Sequence, residues 1–186
     1  DGDWQKFRAS WNYNWGRDTS AALPGRVTFA PMQHNRWWPD WNTLPSYRIP
    51  WHTTAKPLAV LGFNEPDHSD QANMSVADAI ALWPKLEQSE VPLVSPSAAN
   101  AFGGWMADFY KQADALGFRV DCTAVHRYAN PDASGLISHL QSVYNTWGRP
   151  VWLTEFSCVD WARPADDTAR HSRLTATASR RMNSVR

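Results

Sequence analysis

Leu136-Ile137-Ser138-His139-Leu140-Gln141-Ser142-Val143-Tyr144-Asn145-Thr146-Trp147-Gly148-Arg149-Pro150-Val151-Trp152-Leu153-Thr154-Glu155-Phe156 joins two apolar patterns of different period. Leu136, Ile137, Leu140, Val143, Tyr144 and Trp147 recur at helical spacing, and Gly148 is placed to close that helix. Val151 to Phe156 is then a nearly continuous apolar run, as in a strand covered on both faces. The same grammar stands upstream. Trp105, Met106, Phe109, Tyr110, Ala113 and Leu116 form a helical stripe, Gly117 ends it, and Phe118 to Val125 reads as the next strand. Before that, Ser75-Val76-Ala77-Asp78 opens a helix like a capping box, with Val76, Ile80, Trp83 and Leu86 on one face. Pro84 predicts a kink or an early end to it. Leu93 to Ser95, Leu58 to Phe63, Val27 to Met32 and Arg8 to Tyr13 complete the strand-like runs.

Strand, helix, glycine, strand is the pattern of βα units around a parallel sheet. The turn after Tyr13 reads Asn14-Trp15-Gly16-Arg17-Asp18, which is no phosphate-binding glycine loop, so a doubly wound sheet fits poorly. Polar and aromatic residues recur where strands end. The expected fold is therefore α/β, a TIM-type (β/α)8 barrel, complete or incomplete, with six recognisable strands.

The 186 residues suffice for one domain. Lys plus Arg number 18 and Asp plus Glu 18, so the net charge is zero and a nucleic-acid partner is not expected. No apolar run approaches the roughly 18 residues of a membrane span, and no membrane association is expected. The two cysteines make no disulfide framework. Cys122 and Cys158 fall at opposite ends of neighbouring strands and are expected as free thiols. The 12 tryptophans are the unusual number. Several sit among Asn, Asp, Arg and Pro, where loops are expected, and a loop tryptophan suits stacking on a flat apolar sugar face.

Two glutamates end strand runs: Glu65 in Leu61-Gly62-Phe63-Asn64-Glu65-Pro66-Asp67, and Glu155 in Val151 to Phe156. Such a pair in a low-dielectric cleft suits glycoside hydrolysis, where one carboxyl protonates the leaving oxygen and the other carboxylate attacks or activates water. Strand alternation predicts that Phe63 and Glu65 share one face, that Leu153 and Glu155 share another, and that Trp152 points outward into helix packing. His34, His52, His68 and His126 show no metal-ligand spacing, so neither metal nor cofactor is expected, and Asp67-His68 reads as a hydrogen-bonded loop pair.

Asn64-Glu65-Pro66 at one strand end and Thr154-Glu155-Phe156 at a later one resemble the clan A glycoside hydrolases. Together with Trp11-Asn12-Tyr13-Asn14-Trp15, Phe29-Ala30-Pro31-Met32 and His126-Arg127-Tyr128, in that order, they are similar to glycoside hydrolase family 128, β-1,3-glucanases on a compact barrel. The resemblance implies Glu65 as acid/base and Glu155 as nucleophile of a retaining mechanism. It implies Asn64 on the sugar 2-hydroxyl, His126 in the cleft wall and Tyr128 orienting the nucleophile. Trp15 is the expected sugar platform, with Asn14 beside it and Trp37, Trp38 and Trp41 as cleft-wall candidates. The implied partner is a β-glucan polysaccharide or oligosaccharide, bound by an extracellular monomer, although the chain shows no signal peptide. Another β-linked glucan or mannan stays open, as does a non-catalytic β-glucan-binding protein.

Residues 1–161 are expected to form the catalytic core. Residues 162–186 hold six Arg but only Leu174, Met182 and Val185 as larger apolar residues, and are expected to be a disordered or aberrant tail. By the same resemblance, the first and last barrel strands are not visible in the chain.

Overall fold

The computed structural model describes residues 9–17, 23–38 and 57–159. Its elements follow in the order β1 (Trp11–Asn12), β2 (Thr28–Phe29), β3 (Val60–Leu61), α1 (Val76–Glu87), β4 (Leu93–Val94), α2 (Gly104–Ala115), β5 (Thr123–Ala129), α3 (Ala133–Trp147) and β6 (Val151–Cys158). All pairing is parallel: β1 with β2, β3 with β4, β5 with β6. Single bridges between Met32 and Leu61, and between Val94 and Cys122, link these pairs. The strands therefore lie side by side in chain order, as successive βα units require. Among the described residues the sheet does not close through backbone pairing. Its first and last strands meet instead through side chains, with the Trp11 and Trp152 rings 4.9 Å apart and the Tyr13 hydroxyl donating to the Thr154 carbonyl at 3.0 Å.

The helices start and stop where the residues dictate. Ser75 accepts from the Asp78 amide at 3.1 Å to open α1, and Asp132 accepts from the Ser134 amide to open α3. Gly148 closes α3 at φ +67°, a conformation that costs glycine little. Pro84 does not end α1, which runs on to Glu87. The proline is exposed and lacks only one helical N–H, while Ala79, Trp83 and Leu86 anchor the buried face.

Two cores lie on opposite sides of the sheet. Val60, Phe63 and Leu93 pack outward against Trp83, Leu86, Met106 and Phe109 of α1 and α2. Ala30, Met32, Leu61, Val94 and Ala124 pack inward with Trp11 and Trp152. All three alternation expectations fail here, for local reasons at two strand ends. Trp152 points inward, not outward, and Leu153 packs outward with Val125 and Val143. The register explains it: Val125 pairs with Leu153 but His126 pairs with Glu155, leaving Thr154 as an extra residue. This bulge resets the alternation, so Trp152 and Glu155, three apart, face the same way. Phe63 likewise faces outward although Leu61, two residues before it, faces inward, so alternation ends with β3 at Leu61, and Glu65 enters the cleft beyond it at φ +41°.

Cys122 and Cys158 are free thiols. No helix among the described residues is long and apolar enough to cross a membrane. Trp41 and the segment 162–186 lie outside the described residues.

Candidate active site

The inner face of β5 and the bulged end of β6 bring three side chains together. His126 Nδ1 lies 2.7 Å from Glu65 Oε1, and its Nε2 lies 3.6 Å from Glu155 Oε1. One carboxylate oxygen of Glu65 and one of Glu155 lie within 4.8 Å of each other. The three together are spaced to hold a metal ion, but the two imidazole nitrogens face different carboxylates. The His126 Nδ1 to Glu65 Oε1 contact at 2.7 Å is a hydrogen bond.

Glu155 is held from three sides. Trp15 Nε1–H donates to its Oε1 at 2.6 Å, the Tyr13 hydroxyl approaches the same oxygen at 3.1 Å, and the Tyr128 hydroxyl donates to Oε2 at 2.6 Å. Burial pushes the Glu155 carboxyl upward, but the donors, led by Tyr128 and aided by the His126 field, outweigh it and hold the group below its ordinary value. Burial, then the Glu155 charge, drives the Tyr13 hydroxyl far upward. Burial and the bond to Glu155 do the same to Tyr128. Both phenols thus stay protonated donors.

Backbone strain marks the same place. Trp15 at φ +59° and Glu65 at φ +41° are non-glycine residues in the left-handed region, each at a cost of roughly 1–3 kcal/mol. At Glu65 the surroundings enforce it. Its amide donates to Ser97 O at 2.9 Å, its carbonyl accepts from His68 N at 3.0 Å, and neighbouring Asn64 is tied to His34 and Ala72 through its backbone. Asn64 Nδ2 donates to Gln71 at 3.0 Å, which leaves Oδ1 buried without a partner.

These residues line a cleft of about 920 Å³ that also takes in His34, His68, Gln71, Arg127 and His139. Of the sequence-derived candidates, Glu65, Glu155, Asn64, His126, Tyr128 and Trp15 meet there. Trp15 contributes a hydrogen bond to Glu155 as well as an exposed ring. Asn14, Trp37 and Trp38 do not line it. Asn14 accepts from the Gly16 amide and shapes the Trp15 turn. Trp37 and Trp38 are 76% and 60% exposed on a turn whose amides bond Asn35 Oδ1. Asp67 and His68 are not paired with each other: Asp67 accepts from the amides of Ala99 and Asn100, and His68 accepts from that of Asp70. Sequence reasoning missed Tyr13 as a ligand of Glu155, although its place two residues before Trp15 at a strand end was a usable signal.

The site sets two carboxylates at strand ends of a parallel βα scaffold, and residues 3–185 match the model of the glycosyl hydrolase catalytic core. The chain belongs to that family. It is 31% identical to a family 128 (subgroup I) endo-β-1,3-glucanase from Amycolatopsis mediterranei, solved with laminaritriose. That match has a TM-score of 0.81 and covers 97% of this chain and 77% of that one. A family 128 (subgroup VII) oligosaccharide-binding protein from Trichoderma gamsii matches at 27% identity and a TM-score of 0.64, over 81% of this chain and 61% of its own. Among curated proteins, Alkali-sensitive linkage protein 1 of Schizosaccharomyces pombe is 33% identical over 159 residues, 82% of this chain. The chain spans only 28% of that relative's length.

Proposed function

We propose that the protein hydrolyses β-1,3-glucan with retention of configuration, on a (β/α)8-type barrel whose core is residues 1–161. The observation that carries this is the separation of the carboxylates. A double displacement asks for carboxyl groups about 5–5.5 Å apart, whereas inversion needs roughly 6.5–9.5 Å to admit a water between them. Oxygens within 4.8 Å fit the first.

Roles follow from the partners. Glu155, held anionic by Tyr13, Trp15 and Tyr128, attacks the anomeric carbon. The bond to the departing sugar oxygen breaks as Glu65 gives that oxygen its proton, leaving a glycosyl ester on Glu155. Glu65, now a carboxylate, takes a proton from water, and the resulting hydroxide attacks the same carbon and frees Glu155. His126 fits this cycle. Its buried Nε2 faces the Glu155 anion and so carries the N–H, which leaves Nδ1 as the acceptor for a proton on Glu65. Asn64 Oδ1 is free to accept from the sugar 2-hydroxyl. Trp15 offers its exposed ring to a sugar face. The protein acts as an extracellular monomer in this reading.

A second reading, a non-catalytic oligosaccharide-binding protein, draws support from the subgroup VII relative. Another β-linked glucan or a mannan would use the same carboxylates. Reducing-sugar release from a soluble β-1,3-glucan, by the wild-type chain and by Glu65→Gln and Glu155→Gln, separates them. Activity lost in both variants is expected. A folded wild-type chain that binds laminari-oligosaccharides without cleaving them establishes the second reading, and cleavage of another polymer in place of β-1,3-glucan changes the substrate.

A further inference from the structure

One cation in the cleft has no counterpart. Among the described arginines, Arg36, Arg119 and Arg149 are ion-paired with Asp78, Asp121 and Asp114, and Arg17 and Arg26 are engaged as well. The Arg127 side chain has no hydrogen bond or ion pair among the described residues, and its Nε is buried with no acceptor. The nearby Asp132 carboxylate is spent on the Ser134 amide. Leaving a buried N–H unpaired costs about 1–3 kcal/mol.

The surroundings of Arg127 point to what would pair with it. It pairs in register with Phe156 on the outer side of β5, yet it reaches the same cleft as Glu65 and Glu155. His139 of α3 lines the cleft there, with its Nε2 buried and unpartnered and its ring edge-on to Phe102 at 5.3 Å. Burial, then the Arg127 charge, holds the His139 imidazole below its ordinary value, so a neutral ring stands beside a fixed cation. A planar guanidinium suits the two oxygens of a carboxylate, and Phe102 (44% exposed) gives an apolar surface for a sugar face.

We propose that the Arg127–His139–Phe102 end of the cleft is a subsite for an acidic sugar, a uronic acid residue carried by the glucan chain. The proposal rests on the saccharide-cleft reading above. A carboxylate beside Glu65 and Glu155 would be repelled, so Arg127 fixes where in the cleft the acid sits and sets the direction in which a substituted chain lies. One charge-assisted bond gained in a half-buried site corresponds to about a tenfold gain in affinity.

Calorimetry on the Glu155→Gln chain, which binds without turnover, compares a neutral β-1,3-gluco-oligosaccharide with one bearing a single glucuronic acid. The acidic ligand is expected to bind about tenfold tighter at low salt. Arg127→Gln should abolish that preference while changing neutral binding less than twofold, and Arg127→Lys should restore it in part. Equal affinity for both ligands, or an equal loss of both in Arg127→Gln, overturns the subsite. Free glucuronate provides a readout independent of glucan binding, through the His139 imidazole resonances. Shifts that vanish in Arg127→Gln support the subsite even where the neutral oligosaccharide fails to bind, a failure that belongs to the glucan reading. No shift together with no acidic preference overturns it. Inorganic phosphate or sulfate giving the same shifts at the same concentration overturns the carboxylate assignment.

Discussion

Tyr128→Phe isolates one bond in the Glu155 cradle. Trp15 and Tyr13 both address Oε1, so the 2.6 Å bond from Tyr128 is the donor on Oε2. A hydrogen bond to a charged group contributes about 1.5–3 kcal/mol, and Tyr128 is 46% exposed, so water replaces part of it. The lower end applies, roughly 1.4 kcal/mol or tenfold in rate. The effect should be unequal over the two steps. When Glu155 attacks, it loses charge, so a missing donor hardly slows formation of the glycosyl ester. When the ester breaks, Glu155 regains its charge as leaving group, and the missing donor slows that step by about tenfold. With an activated aryl glucoside, Tyr128→Phe should therefore show a larger burst followed by a slower steady state. The pH profile has a defined sign as well. Glu155 sits below its ordinary value and must be ionised, so activity is full above that value and falls as the pH drops through it. Removing Tyr128 moves Glu155 toward its ordinary value and the acid limb toward higher pH. An unmoved limb together with equal slowing of both steps would refute this account of the cradle.

Gly62→Ala tests how closely β3 and the segment after β4 approach. An added Cβ would lie 2.7 Å from Pro96 N and 2.9 Å from Ser95 C, both backbone atoms that cannot swing aside, so a loss of about 1–3 kcal/mol is expected in a denaturant melt. Wild-type stability in that variant would show that the backbone there yields freely. Asp67→Ala removes the acceptor of the Ala99 and Asn100 amides and unties the loop that walls the cleft. It should raise KM several-fold while leaving kcat within about threefold, and a kcat collapse at unchanged KM would place Asp67 in the chemistry instead.

The order of elements was legible in the sequence because each signal is local. Gly117 and Gly148 follow helical stripes, Ser75 caps, and the apolar runs fall where strands form. Four short strands of two residues each are less regular than their apolar runs suggest, since the backbone pairs only briefly before turning into loops. Glu65, Glu155, His126 and Tyr128 were legible as a set because strand ends converge in this kind of fold. The contacts among them were not. No spacing along the chain tells that His126 lies between residues 65 and 155, or that Trp15 spends its N–H on a carboxylate 140 positions away.

The site departs from regular structure at the two strand ends that carry its carboxylates. A strand without interruption would place Trp152 and Glu155 on opposite faces, and the chain needs both inside: Trp152 against Trp11 to fill the interior, Glu155 above it against His126. The extra residue at Thr154 resolves the conflict, and the Thr154 hydroxyl, donating to Val125 O at 3.3 Å, ties the bulge to the neighbouring strand. Glu65 solves the same problem by leaving the strand conformation after Phe63, whose ring is needed in the outer core against Trp83. Both carboxylates therefore reach the cleft through a local break in the β-structure, at positions where the residue two before serves packing on the outer side. Deleting Thr154 follows directly: Leu153 and Glu155 become neighbours, so plain alternation keeps Trp152 and Glu155 on the inner face without a bulge. What is lost is the carbonyl that accepts from Tyr13 and the hydroxyl bond to Val125 O. The deletion should cost about 1–3 kcal/mol in a denaturant melt, and a chain that no longer folds would refute the claim that the bulge serves only to reset alternation.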